Sequence, residues 1–268
     1  MNKYIEAYEM EKFLKDIKKF YKYGIYSGKS ELKSDIANSH LSWLWWVLDP
    51  LLFMLVYTFI ALTVFGKGED YFPVYVFIGL SCWQFFERTV KQSVKLVSSN
   101  SAIVTKVYIP KFILVFVKMY ANGFKMLVSF ALVFIMMLLF RVPLSWKIIY
   151  IFPIFLTLGV FTFGASCILL HFGVFVEDLS NIINVLLKLV FYLSGIFYSL
   201  NRVPEPFNLI LLNVNPVALL IDSLRKSLIY STYPNMGLIL IWFVISCVLS
   251  VIGVKVIYKY ENSYVKVI

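Results

Sequence analysis

Six runs of mostly apolar residues, each long enough to cross a lipid bilayer, constrain this chain before anything else does. They extend over Trp43 to Phe65, Pro73 to Val94, Phe112 to Phe140, Ile148 to Phe175, Leu179 to Leu200 and Met236 to Tyr258. A crossing takes about 20 such residues, and in hydrocarbon every backbone polar group must be satisfied within the segment, which calls for a helix. Hydrophobic residues make up 60% of the 268, more than a water-soluble domain carries. The fold class expected is all-α, a polytopic membrane protein with six transmembrane helices. Residues 1–42 read as a cytoplasmic interfacial segment and residues 43–268 as one six-span domain with no room for an appended catalytic module.

Charge sets the orientation, because Lys and Arg in short loops resist translocation. Lys and Arg number 25 against 15 Asp and Glu, a net +10. Eight lysines (Lys3, Lys12, Lys15, Lys18, Lys19, Lys22, Lys29, Lys33) precede the first span, Lys95, Lys106 and Lys111 follow the second, and Lys259 and Lys266 sit in the tail. Both termini are therefore expected in the cytoplasm, as an even number of spans requires. The basic excess reads as attraction to anionic lipid headgroups; no nucleic-acid partner is expected, since nothing resembles a soluble reader domain. The N-terminus lacks the apolar core and cleavage site of a removable signal peptide. Cys82, Cys167 and Cys247 all fall within spans and read as small apolar side chains.

Three segments depart from plain crossings. Met10, Phe13, Leu14, Ile17, Phe20 and Tyr21 recur at helical spacing among Lys12, Lys15, Lys18, Lys19 and Lys22, which predicts an amphipathic helix along the cytoplasmic leaflet. It is expected to end near Gly24 and Gly28, with a second short helix over Leu32 to Leu41. In the second span, Glu87, Arg88, Lys91, Gln92, Lys95, Ser98 and Ser99 form a polar stripe, which either faces a cavity or marks helix already outside the membrane. From Asn201 to Tyr233, the breakers Pro204, Pro206 and Asn215-Pro216 leave two pieces too short to cross. They predict a re-entrant external helical hairpin, a candidate outer gate.

The chain offers little to an enzyme. No Gly-rich phosphate loop, HExxH or nucleophile elbow occurs, and His40 and His171 lie far apart. No catalytic residue and no metal site is assigned; the adjacent acids Glu177 and Asp178 are the weak exception. Charges within spans carry more, because each is costly in lipid unless hydrated or paired. Asp49, Lys118, Lys125 and Lys188 are such charges. A long stem lets Lys118 snorkel to the headgroups. Lys125 and Lys188 are expected to face a hydrated cavity, with pairing to Asp49 as the alternative, and Arg88 and Lys91 extend the same basic lining. Phe191, Tyr192, Phe197 and Tyr198 lead into the expected hairpin, where aromatic faces would stack on sugars.

The order of these motifs resembles the membrane subunit of ATP-binding-cassette exporters of lipid-linked polysaccharides, the O-antigen, capsule and teichoic acid permeases. The likeness rests on Ser39 through Trp45 with Pro50, on Gly79-Leu80 with Trp83 and Phe85-Phe86, on Asn100 through Lys111, on Glu177-Asp178-Leu179, on Phe191 through Tyr198, and on Asn213, Asn215-Pro216 and Arg225. The family often has Arg-Asp in place of Glu177-Asp178 and Ser-Pro in place of Ser194-Gly195. The resemblance implies a permease homodimer in a bacterial cytoplasmic membrane, with two nucleotide-binding ATPase subunits holding ATP and Mg and no cofactor in this chain. Lys106, Tyr108, Pro110, Lys111, Glu177 and Asp178 would couple to the ATPases. Lys125, Lys188, Asp49, Arg88, Lys91 and the four aromatics would line the path of a lipid-linked glycan, and Pro204, Pro206, Asn215, Pro216 and Arg225 would form the outer gate. The alternatives are a permease for a small drug or lipid, and an integral membrane glycan-phosphate transferase.

Overall fold

The computed structural model describes residues 2–37, 42–63 and 69–267, and no strand occurs among them. In chain order the helices are α1 (Asn2–Ala37), α2 (Ser42–Thr63), α3 (Phe72–Val94), the short turns α4 (Leu96–Ser99) and α5 (Ser101–Val104), α6 (Lys111–Leu139), α7 (Ile151–Phe175), α8 (Leu179–Leu193), α9 (Phe207–Val214), α10 (Pro216–Leu228) and α11 (Met236–Val267).

Among the described residues, four helical stretches are long and apolar enough to cross a bilayer alone: Trp43–Thr63, Lys111–Leu139, Trp146–Phe175 and Met236–Tyr264. The pair α9 and α10, bent by 98° at Asn215, would make a fifth if read as one broken span. The segment expected as the second span forms helix α3, but its polar stripe keeps it below that apolarity. Other helices surround it instead, and Val74, Val76, Phe77, Ile78 and Cys82 are fully buried. The expected fifth span is shorter than its sequence indicated. Helix α8 stops at Leu193 rather than Leu200, because Gly195 adopts φ +63°, the left-handed conformation that ends helices. The Ser194 hydroxyl donates to the Val190 carbonyl at 2.6 Å and closes the last turn.

The N-terminal expectation also needs correction. Gly24 and Gly28 do not end a helix, since α1 continues unbroken to Ala37. Gly28 serves packing: a Cβ there would lie 2.5 Å from the Tyr120 ring of α6. Part of the apolar stripe expected to face lipid is covered by protein, with Phe13, Ile17 and Phe20, joined by Tyr23, partly buried against a core that includes Phe112, Ile113, Ile257 and Tyr264. Leu14 and Tyr21 remain exposed. The side chain of Met10, the motif residues Ser39, His40 and Leu41, and the expected end of the first span at Phe65 lie outside the described residues.

Small residues set how closely the remaining helices approach. A Cβ on Gly164 of α7 would stand 2.8 Å from the Ser250 nitrogen of α11, and one on Gly253 would stand 2.7 Å from the Cys167 Cβ. Helices in lipid associate through such close contacts, because apolar side chains gain nothing by leaving lipid for one another. Ser250 Oγ seals the seam by donating to the Val160 carbonyl at 3.0 Å.

Candidate functional site

Three of the four charges expected in the membrane, Asp49, Lys118 and Lys125, are paired, and with partners that sequence reading missed. Lys125 Nζ lies 2.7 Å from Asp35 Oδ2, and Lys118 Nζ lies 2.6 Å from Glu31 Oε1. Asp49 accepts from Arg88 at 2.8 Å and from Gln84 at 3.4 Å, so it is Arg88 and not a lysine that answers it. Lys125 Nζ also stands 5.3 Å from the centre of the Trp46 ring. A signal for two of these pairs was present in the sequence. Glu31 and Asp35 are four residues apart, Lys118 and Lys125 seven, and either spacing places both charges on one helix face.

The polar stripe of α3 divides between two environments. Glu87 accepts from Trp83 Nε1 at 2.7 Å on its own helix, and Asn122 of α6 donates to Thr89 at 3.1 Å and Gln92 at 3.0 Å. Lys91, Lys95, Ser98 and Ser99 are exposed. Trp46, Ser81, Gln84, Arg88, Asn122 and Lys125 line a void of only about 10 Å³, room for one water at most.

Lys188 is exposed on α8, on the same side as Val185, Leu189 and Tyr192. The four aromatics do not act alike. Phe191 packs on Trp83 at 5.4 Å and on Phe197 at 5.3 Å, while Phe197 stacks on Tyr57 of α2 at 3.4 Å with planes 19° apart. Tyr192 is 62% exposed. Tyr198 donates to the Tyr192 carbonyl at 2.8 Å and accepts at its own carbonyl from Tyr75 at 3.0 Å. Packing therefore explains Phe191 and Phe197, and hydrogen bonding explains Tyr198, which leaves Tyr192 open to a ligand.

At the far end, Asn215 caps α10 by accepting from the Val217 and Ala218 nitrogens at 3.1 and 3.2 Å, and Pro216 opens the helix, where its missing N–H is harmless. Asn215 Nδ2 donates to Ser194 Oγ at 3.0 Å, tying the hairpin to the end of α8. Pro204 and Pro206 are exposed and α9 has no buried residue, whereas α10 is buried along most of its length. Arg225, expected at the gate, is 3% exposed. Its guanidinium donates to the carbonyls of Tyr75 (3.1 Å), Gly195 (2.7 Å) and Ile196 (2.7 Å) and lies 3.4 Å from the centre of the Tyr75 ring. It is an anchor, and no passing ligand can touch it.

At the opposite end, Lys106, Glu177 and Asp178 are exposed, Pro110 is buried ahead of α6, and Tyr108 is half exposed. Lys111 departs from its expected docking role. It is 2% exposed and pairs with Glu261 of α11 at 3.3 Å. Burial, and then the carboxylate of Glu261, push the Tyr108 hydroxyl up to about 12, so it remains a donor to Glu261 at 3.3 Å.

Residues 26–229, well over half of the chain, match the family described as ABC-2 type transporter. Two proteins from Klebsiella pneumoniae named O-antigen export system permease protein RfbA are 26% identical over 240 and 242 residues, covering 89% of this chain and 92% of each relative. A protein of the same name from Myxococcus xanthus is 28% identical over 195 residues, covering 72% of this chain and 75% of its own length. The chain therefore belongs to the ABC-2 type transporter family, and its apolar helices are those of a membrane-embedded subunit of an ATP-binding-cassette exporter.

Proposed function

We propose that this chain forms, as a homodimer with two ATPase subunits on its cytoplasmic side, the route by which a lipid-linked polysaccharide or polyol-phosphate polymer leaves a bacterial cytoplasm. The observation that carries the reading is that relatives spanning nearly the whole chain are named for O-antigen export. Two features of the fold support it. Within one chain Arg88 and Lys125 line a void of only about 10 Å³, too small to pass a polymer, so the reading calls for a path built from more than one copy. On either side of the Tyr57–Phe197 stack, α2 exposes Leu52, Val56 and Phe59 and α8 exposes Ile182, Val185 and Leu189, faces suited to a two-fold partner.

In this reading α3 and α8 complete six crossings, and both termini lie in the cytoplasm. ATP and Mg belong to the partner subunits. The turns carrying Lys106, Tyr108 and Pro110 and carrying Glu177 and Asp178 seat on the ATPases. Closure of the ATPases rocks the helices apart, and α9 with Pro204 and Pro206 yields at the outer end while α10 stays fixed. Tyr192 and Lys188 face the polymer.

Native mass spectrometry of the complex purified from its own membranes tests this. Two copies of this chain, two nucleotide-binding subunits and a retained glycan-bearing lipid are expected. A retained small lipid alone would favour the small-substrate permease. Transferase activity in the isolated chain, lost in Glu177→Gln, would replace transport with catalysis.

A further inference from the structure

The last helix is too long for its membrane task. Its 32 residues span about 48 Å at about 1.5 Å each, against a hydrocarbon thickness of about 30 Å. The surplus carries Lys259, Glu261 and Lys266, yet it does not simply trail into water. Glu261 is 6% exposed and Tyr264 is fully buried.

Three side chains on this surplus, spaced three residues apart, reach three different elements. Tyr258 donates to Asp16 of α1 at 2.7 Å, and Lys12 of α1 lies 4.5 Å from the centre of the same ring. Glu261 gives both oxygens to the turn before α6, Oε1 to Lys111 and Oε2 to Tyr108, each at 3.3 Å. The Tyr264 hydroxyl is hydrogen-bonded to His171 Nδ1 at 2.8 Å, in the last turns of α7, and its ring is 5.9 Å from Phe175. Two residues beyond Phe175 comes the exposed Glu177-Asp178 turn. The surplus of α11 thus touches α1 and the approaches to both exposed turns.

The ion pair is an odd choice if stability were the need. Burying Lys111 and Glu261 strips both of water, and an apolar pair of similar size serves stability as well or better. What a buried, two-pronged pair supplies is position, because removing either member leaves the other unanswered.

We infer that the cytoplasmic end of α11 is a rigid link that makes α1, the turn at residues 105–111 and the turn at residues 176–178 move as one body, with Lys111 and Glu261 as its positioning residues. The link rests on the proposed docking of ATPases at those two turns. Force applied at either turn passes through α11 to the other and, along the Gly164–Gly253 seam, into α7. Helices that pack this closely transmit displacement instead of absorbing it.

Hydrogen–deuterium exchange on the purified full chain, without any ATPase, tests the link by itself. Glu261→Gln should speed exchange at residues 105–112, which it touches, and also at residues 171–178, which it does not. Tyr264→Phe, which keeps the ring and so the fold, should do the reverse and loosen residues 105–112 from the other side. Acceleration confined to the segment each residue touches would overturn the link. The charge-swapped double variant Lys111→Glu with Glu261→Lys should restore slow exchange at both segments; failure to do so in a folded protein would assign the pair no positioning role. In the complex with its ATPase subunits, Glu261→Gln is expected to lower polymer export at least about tenfold while ATP hydrolysis stays within about twofold, the size of an ordinary coupling energy. Equal loss of both would mean damaged docking, against the link. A wild-type chain that retains no ATPase would sink the exporter reading and leave the exchange result standing.

Discussion

Arg225 gives the sharpest test of how the outer hairpin is held. Its guanidinium is buried with no carboxylate bonded to it, and its three hydrogen bonds join the Tyr75 carbonyl of α3 and the Gly195 and Ile196 carbonyls after α8 to helix α10. Arg225→Met keeps most of the volume, removes the charge and takes their donor from the Gly195 and Ile196 carbonyls, while the Tyr75 carbonyl keeps its partner within α3. A buried unsatisfied polar group costs about 1–3 kcal/mol, so two cost about 2 kcal/mol at the low end. Loss of the contact with Tyr75 adds about 0.5–2 kcal/mol. Relief from burying a charge works the other way. The bonds should win, because two of them, at 2.7 Å, are short and charge-assisted. At about 2–4 °C per kcal/mol, the melting point in detergent should fall by roughly 6–12 °C, read by thermal unfolding monitored with size-exclusion chromatography. Gly79→Ala should fall as well, since its methyl would stand 2.7 Å from an Arg225 nitrogen. A Met variant that melts at or above the wild-type temperature would show that desolvation dominates and that Arg225 is not the anchor.

Four further outcomes follow from the same geometry. A double-mutant cycle with Lys125→Met and Asp35→Asn should return a coupling of about 1 kcal/mol, kept small because the Asp35 side chain is 39% exposed; strictly additive losses would dissolve the pair. Gly253→Leu should destabilise the α7–α11 seam by about 1–3 kcal/mol through overpacking, whereas unchanged melting would mean that the helices are free to part. In a background without native cysteines, Lys188→Cys should react with a membrane-impermeant maleimide in detergent and Lys111→Cys should not, the opposite pattern contradicting their placement. There too, a cysteine at Val185 should cross-link two copies, while a purely monomeric product would count against the two-fold face.

Much of the fold was legible because helix length and apolarity are local properties. The runs beginning at Trp43, Phe112, Ile148 and Met236 reappear as α2, α6, α7 and α11, and the breakers around Pro204 and at Asn215-Pro216 reappear ahead of α9 and at the bend between α9 and α10. Local rules misled where a residue's role lay across space. Gly28 looks like a helix end and is a contact surface for Tyr120. Arg225 and Lys111 look like exposed site residues, and each is buried on groups about 30 to 150 positions away.

The sequence by itself therefore determined that this chain must be a set of lipid-crossing helices and roughly where most of them run, since about 20 apolar residues in hydrocarbon have little alternative to a helix. Which charge answers which was decided only when the helices came together. Lys118 and Lys125 find Glu31 and Asp35, Arg88 finds Asp49, and Lys111 finds Glu261. Spacing could place Glu31 with Asp35 and Lys118 with Lys125 on single helix faces, but a Coulomb interaction falls with separation and screening, so only the packing of segments far apart in the chain decides which faces meet.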